Sequence, residues 1–489
     1  MERRNPADFK KLPAQDLLWP FQQVKPFHHQ KVCATLSVFY PQFLFALDTG
    51  LGKTIIALAT FEIYRKLNLA KKALVILPFS EYVLRSWEEQ IKDHQLPFSI
   101  SLVSGSAKQK DQILFAGDSD ITLVSSKSLL NFFKRHFITK LPPDREVLDY
   151  ARAKAWVRKF QFLVIDECHF LQNPTSKSFR YFYSIFAYKE TVPFRFLLSA
   201  TPGGDWWFGA WCLYKILDHG ETFFSSYSKF LNYFFVNVSR GKFPIWRMRR
   251  ERKQEFFDRF WSKAIYFSKN ECLDLPPKHK IKLTVDLLKE QEAAYIDALQ
   301  ETPLNVNKLR RIASGIVDGQ FFLNAPKVEA LLALTQDVVN GSGHIIIWHW
   351  LTDEGQLITT ALKKHFSPSL IGEARSEIPD RDKQRYIANW HKGKVKILVA
   401  NPASLGQVVT LTEARQAVYF SNPDSWLLRK QSEDRIYRIG QAETCFYFDL
   451  VSRGTVDEVV HRRLQQKQDF YSDMTQEQVR KELLSAFAL

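Results

Sequence analysis

Phe43-Leu44-Phe45-Ala46-Leu47-Asp48-Thr49-Gly50-Leu51-Gly52-Lys53-Thr54 passes from an apolar run into a glycine turn, and Ile55 to Thr60 continues it as the opening of a helix. Strand, glycine turn and helix in this order is the setting a phosphate-binding loop needs. Glycines at 50 and 52, with Leu51 between them, let backbone N–H groups close on phosphate oxygens. The helix N-terminus adds partial positive charge there. Lys53 is then placed to reach β- and γ-phosphates, and the Thr54 hydroxyl to ligate Mg²⁺. The generic loop pattern begins with glycine, where this chain has Leu47. Taken alone, the stretch also fits a glycine turn before an ordinary helix.

The same alternation runs through the chain. Short apolar runs recur at Phe43–Leu47, Ala73–Leu77, Ile121–Val124, Phe162–Ile165 and Phe196–Leu198. Each is followed by a polar turn and a helix-like stretch, the pattern of a parallel sheet with crossover helices. A second series follows at His344–Trp348, Ser369–Ile371, Lys396–Val399, Ala417–Phe420 and Cys445–Leu450. The expected fold class is α/β, with two parallel-sheet lobes in tandem facing one cleft.

Two further clusters carry chemistry. The run Phe162–Ile165 ends in Asp166 and Glu167. Asp166 suits Mg²⁺, which prefers carboxylate and phosphate oxygens, and Glu167 suits the orientation or deprotonation of an attacking water. Cys168 reads as a small packing residue. His169 is either a structural histidine at a turn or a link to the loop Ser199-Ala200-Thr201-Pro202. Far downstream, Gln431-Ser432-Glu433-Asp434-Arg435-Ile436-Tyr437-Arg438-Ile439-Gly440-Gln441 places Arg435 and Arg438 three apart, on one face if the segment is helical. A phosphate loop, an acidic pair and a distant arginine pair are the parts of an ATP motor split across two lobes.

At 489 residues the chain is too long for one ordinary core. Its net charge of +16 favours a polyanionic partner, nucleic acid first and an anionic membrane second. There is no apolar run of about 18 residues, so no membrane-spanning helix is expected, and the N-terminus lacks the apolar core of a signal peptide. Five scattered cysteines, with no CxxC pair, imply neither a zinc site nor a disulfide frame and fit a reducing, intracellular setting.

With these residues assembled, the chain resembles the SNF2-like branch of the superfamily 2 helicases over roughly residues 20–470. Gly50-Leu51-Gly52-Lys53-Thr54 is similar to motif I and Asp166-Glu167-Cys168-His169 to motif II. Leu198-Ser199-Ala200-Thr201-Pro202 is similar to motif III, and Gln431 to Gln441 to motif VI with its SNF2-type ending. The resemblance implies RecA-like lobes, ATP and Mg²⁺ as cofactors, and DNA bound without regard to sequence. It implies an adenine contact at Gln30 and a nucleotide-side glycine at Gly406 in motif V. It also implies DNA contacts at Ser126 and Lys127 (motif Ib), Trp348 (motif IV) and Thr412 (motif V). Arg435 and Arg438 would act as arginine fingers from the second lobe. Leu47, Ala200 and the glycine-poor Gly406-Gln407-Val408 depart from the family's common pattern.

Domain boundaries follow: an N-terminal ATP-binding lobe over 1–204, a largely helical insertion and linker over 205–280, and a C-terminal lobe with a helical end over 281–489. The insertion is dense in aromatics, from Trp206 and Trp207 to Trp246, and in basic residues, Arg240, Lys242, Arg247, Arg249, Arg250, Arg252 and Lys253. The aromatics are expected to be core, and Arg247, Arg249, Arg250 and Arg252 to meet DNA. The short chain, without a reader module, points to a compact remodeller of forked or branched DNA. Alternatives are an RNA-directed helicase, the motor subunit of a restriction or defence complex, and a non-catalytic nucleic-acid-binding subunit. The last requires a lost lysine, acid or arginine, and Lys53, Thr54, Asp166, Glu167, Arg435 and Arg438 are all present.

Overall fold

The computed structural model describes residues 5–78, 81–141, 145–186, 191–202, 207–238, 246–405 and 409–466. The chain divides into two compact units, Met1–Leu273 and Asp274–Leu489. Trp206, Arg240, Lys242, Gly406, Gln407, Val408 and residues 467–489 lie outside the described residues.

The first unit is built on a seven-stranded sheet. From one edge its strands are Ala264–Phe267, Gln42–Leu47, Phe194–Ser199, Phe162–Ile165, Ala73–Leu77, Ile121–Ser125 and Ile100–Leu102, all parallel. The central strands are buried along nearly their whole length. A parallel sheet covered by helices on both faces demands such continuous apolar runs. Every run expected in this half is a strand. Two strands of this sheet were not expected. Ile100–Leu102 is three residues long and interrupted by serine, and Ala264–Phe267 lies within the expected 205–280 insertion yet returns to pair beside Gln42–Leu47, so the first unit reaches past 204 to Leu273.

That segment is largely helical, with helices Ala210–Asp218, Tyr227–Phe234 and Lys253–Trp261 and a short hairpin, Phe235–Asn237 with Trp246–Met248. Among the described rings, Phe223, Phe234, Phe235, Phe256 and Phe260 are core, and Trp207, Phe224, Tyr233 and Trp246 pack against them half-buried. Phe223 stacks on Phe256 at 5.0 Å between centroids, and Trp207 meets Phe257 edge-on at 4.9 Å. Such pairs add to the area they bury, each by about 0.5–1.5 kcal/mol. Arg195, wholly buried, donates to the carbonyls of Val192 (2.7 Å) and Ile216 (2.9 Å), tying sheet to segment.

The second unit holds a six-stranded parallel sheet in the order Lys278–Val285, Cys445–Ser452, Gln416–Tyr419, Ile345–Trp348, Ile397–Ala400, Ile371–Ala374. Ser369 falls in a 3₁₀ turn, Pro368–Leu370, because the proline forces the start of the strand later. Lys278–Val285 escaped sequence reading because it is an edge strand with alternating exposure and four basic residues in its first five. The architecture is of the expected α/β class, with one parallel sheet in each of two successive units. All five cysteines are free. Among the described residues no helix is long and apolar enough to cross a membrane.

Candidate functional site

In the first unit the strands Gln42–Leu47, Phe162–Ile165 and Phe194–Ser199 are neighbours, in register such that their carboxyl ends lie side by side. Ligands of open α/β sheets bind at such ends. The glycine turn leaves the first of these strands with Gly50 at φ 84° and Gly52 at φ 79°, and Gly52 is the cap of helix Lys53–Lys66. A side chain at 52 would be strained by that φ and would place its Cβ 2.4 Å from Gln30 Nε2. Gln30 is buried against the turn. Its Oε1 accepts from Phe27 N (3.0 Å), and its Nε2 donates to Leu51 O (3.3 Å), so both ends of its amide are engaged by the protein. His29 Nε2 also lies 2.9 Å from Leu51 O. Asp48 anchors the loop from below, accepting from Lys269 N (3.1 Å) and Tyr266 Oη (3.3 Å).

Asp166 and Glu167 are both buried. Asp166 Oδ1 accepts from Glu167 N at 2.9 Å. Glu167 adopts φ 46°, a left-handed conformation rare outside glycine, and so turns the chain abruptly into the 3₁₀ segment Cys168–Leu171. Its Oε1 pairs with Lys53 Nζ at 3.2 Å, and Lys53 also donates to Leu47 O at 3.4 Å. Lys53 therefore bridges the glycine turn and the acidic turn. His169 Nδ1 lies 3.3 Å from Glu167 Oε2 but off hydrogen-bonding direction, which leaves that buried oxygen without a hydrogen bond. The two carboxyls titrate apart. Burial, then the charge of Glu167, raises Asp166 above the usual carboxylate range. For Glu167, burial works upward but is outweighed by the Lys53 ammonium and then His169, which hold it low.

The link between this turn and residues 199–202 runs through Gln172, whose Nε2 donates to Pro202 O at 2.7 Å. The sequence left His169 open between this link and a structural role at the turn. A Cβ on Gly209 would sit 2.6 Å from Gln172 Cβ, so the glycine keeps the glutamine in place.

The residues fit a triphosphate and a hard divalent cation. The cradle closes at Gly52, Thr54 supplies a hydroxyl, Asp166 a carboxylate, and Glu167 Oε2 is an acceptor with no donor. Cys168 offers no thiolate, because burial holds its thiol far above the ordinary value.

In the second unit, Gln431 to Gln441 is not one helix. Helix Trp426–Glu433 ends before either arginine, and Asp434 to Gly440 is a run of turns. Arg435 is buried. Its carbonyl accepts from Leu411 N (2.9 Å), and its Nη1 reaches Val409 O (3.5 Å). Gln441 Nε2 donates to Ala414 O (3.0 Å) and Thr412 O (3.3 Å). These bonds to residues 409–414, rather than helical periodicity, fix where the arginines stand. Arg438 is half-buried beside the exposed Ile439.

Behind the arginines lies a buried charge network the sequence reading missed. Arg429 pairs with Glu433 (Nε to Oε1, 2.9 Å), Asp449 and Asn422, and its guanidinium lies 3.4 Å over the Tyr419 ring. Lys280 reaches Glu433 at 2.6 Å. The available signal was Asp449 itself, a carboxylate in the middle of an otherwise apolar strand. Burial works against the ionised form of Asp449, but Arg429 more than offsets it and holds the carboxyl low. Removing one partner of such a pair leaves a buried charge uncompensated. Asp449→Ala is expected to lower unfolding free energy by about 3–5 kcal/mol, read as a shift of the urea midpoint.

The residues expected to meet DNA are placed unevenly. Lys127 is exposed and Thr412 half-buried. Trp348 is wholly buried and rings against Tyr419 at 6.4 Å, so its side chain packs the sheet and offers nothing to DNA in this conformation. The Ser126 hydroxyl is buried as well. Arg247 and Arg250 are exposed. Arg249 donates to Phe235 O (3.1 Å), while Arg252 pairs with Glu255 (3.0 Å) and covers Tyr233 at 4.3 Å.

Residues 40–330, more than half of the chain, match the SNF2-related domain. A Mycoplasma genitalium protein named as an uncharacterized ATP-dependent helicase, MG018, is 23% identical over 87% of this chain and 39% of its own length. The Arabidopsis thaliana protein CHROMATIN REMODELING 4 is 22% identical over 85% of this chain and 19% of its own. The chain thus spans less than half the length of these relatives. A solved Sulfolobus solfataricus SWI2/SNF2 ATPase core in complex with dsDNA aligns over 97% of this chain and 99% of that one, at 21% identity and a TM-score of 0.44. With motif I, the acidic turn and the strands that carry them all inside the matched residues, the chain belongs to the SNF2-related domain family.

Proposed function

We propose that this chain is an ATP-driven DNA motor that remodels forked or branched DNA. The observation that carries the reading is Lys53 held at 3.2 Å from Glu167 on the shared carboxyl edge of one parallel sheet. A lysine and an acid paired at that edge support a reading in which they serve a triphosphate and its attacking water. On nucleotide binding, Lys53 exchanges Glu167 and the Leu47 carbonyl for phosphate oxygens. That leaves Glu167, beside His169, to take a proton from the attacking water. Thr54 and Asp166 are the residues to hold Mg²⁺. When bound, the ion would neutralise charge developing on the phosphates. Arg435 and Arg438 add positive charge at the transferring phosphoryl group.

The net charge of +16, Lys127, and the exposed Arg247 and Arg250 support contact with the sugar-phosphate backbone. Such contact is indifferent to sequence and sensitive to salt. The free cysteines suit a reducing compartment. The test is steady-state ATPase activity with single strands, duplex, forks, four-way junctions and RNA. The greatest stimulation is expected from forked or four-way DNA. Equal stimulation by plain duplex would remove the branched-DNA preference, and stimulation by RNA alone would sink the DNA reading.

A further inference from the structure

A second basic region lies on the first unit, outside every motif discussed above. The hairpin Ile138–Leu141 with Arg145–Leu148 is inserted between helices Ser126–His136 and Tyr150–Val157, and it runs beside helix Lys177–Phe186. Hairpin and helix bound an open cleft of about 710 Å³ whose lining includes Lys140, Glu146, Tyr150, Lys177, Arg180 and Tyr181. Glu146 organises it. Its carboxylate accepts from Tyr181 Oη, lies 3.5 Å from Lys177 Nζ, and faces Lys140 across the hairpin. Among the described residues that line the cleft, one carboxylate stands among three cations.

These cations are extended into water: Lys177 keeps 62% of its side chain exposed, and Lys140 and Arg180 are exposed too. The Tyr150 ring, 53% exposed, stands in the same lining. Spaced, hydrated cations hold a small free anion poorly. They suit a repeating polyanion, whose binding gains from the counterions each contact releases. An exposed ring beside them suits a base that has lost its pairing partner.

We propose that this cleft is a further contact for the nucleic-acid backbone, with Lys140, Lys177 and Arg180 on phosphates and Tyr150 against an unpaired base. It rests on the nucleic-acid reading above and adds a place where a second arm of a branched substrate is held.

The test is fluorescence anisotropy of the full chain with labelled blunt duplex and with a fork bearing a single-stranded tail, titrated over about 50–200 mM salt without ATP. K140E/K177E/R180E, with an unchanged thermal midpoint, is expected to bind at least about tenfold more weakly. Its log–log salt slope should be shallower by about 2–3, the value for three lost phosphate contacts. K140R/K177R/R180K should bind like the wild type, and Tyr150→Ala should weaken the tailed fork but not the blunt duplex. An unchanged slope in the charge-reversed variant overturns the cleft alone. Wild-type protein that binds no DNA overturns the cleft and the motor reading together. Should the reversed variant fold poorly, lysine acetylation of the wild type decides. Protection of Lys140 and Lys177 by DNA supports the site. Reactivity that DNA leaves unchanged, or protection by inorganic phosphate alone, overturns it.

Discussion

Arg438→Ala is expected to lower ATP turnover by roughly 10³–10⁵-fold, the range seen when a positively charged finger is withdrawn from a transferring phosphoryl group. ATP affinity should stay within several-fold, because the contact matters most in the transition state. Single-turnover hydrolysis alongside nucleotide titration separates the two, and an unchanged rate would remove Arg438 from the chemistry. Arg438 is the better target of the pair. Arg435 is buried and bonded to Val409 O, so its loss also loosens the fold. Arg438→Lys should recover little of the rate, because an ammonium keeps the charge but loses the planar fork of donors.

Glu167→Gln is the second large effect. Turnover should fall roughly 10²–10⁴-fold, the usual contribution of a positioned base, while ATP still binds. The amide keeps the shape of the side chain and its place at φ 46°, but it cannot take a proton. It also frees Lys53 from its ion pair, so ATP affinity should hold or rise. Rate and affinity falling together would instead mark Glu167 as a structural partner of Lys53.

How much of this was legible depended on whether the signal was local. Strands flanked by turns were readable because a parallel sheet imposes unbroken apolar runs. The glycine turn, Lys53, Asp166 and Glu167 were readable because their spacing along the chain is itself the motif. What escaped was set by tertiary partners. Arg435 and Arg438 would share a face only if their segment were helical, and Leu411, Thr412 and Ala414 hold it as turns through bonds that no local pattern encodes. Trp348 was assigned to DNA by resemblance, but its strand is central and its ring is core. Gln172 was passed over because a glutamine after an acidic turn carries no signal until Pro202 is seen beside it. The network of Arg429, Glu433 and Asp449 is assembled from separate elements in the same way.

The strand Ala264–Phe267 has a consequence for the order in which the first unit can be finished. Leu44 N is satisfied by Lys263 O, and Asp48, at the foot of the glycine turn, by Lys269 N and Tyr266. Residues made early are thus completed by residues made more than 200 positions later. A ribosome must deliver the whole aromatic segment before the phosphate cradle has its buttress. Until then the inner strand Gln42–Leu47 is an open sheet edge, the surface most prone to pair with the wrong neighbour. The aromatic segment is therefore a timer for the glycine turn: a chain cut before Ala264 would carry Lys53, Asp166 and Glu167 and still lack the strand that flanks Gln42–Leu47 and the groups that hold Asp48.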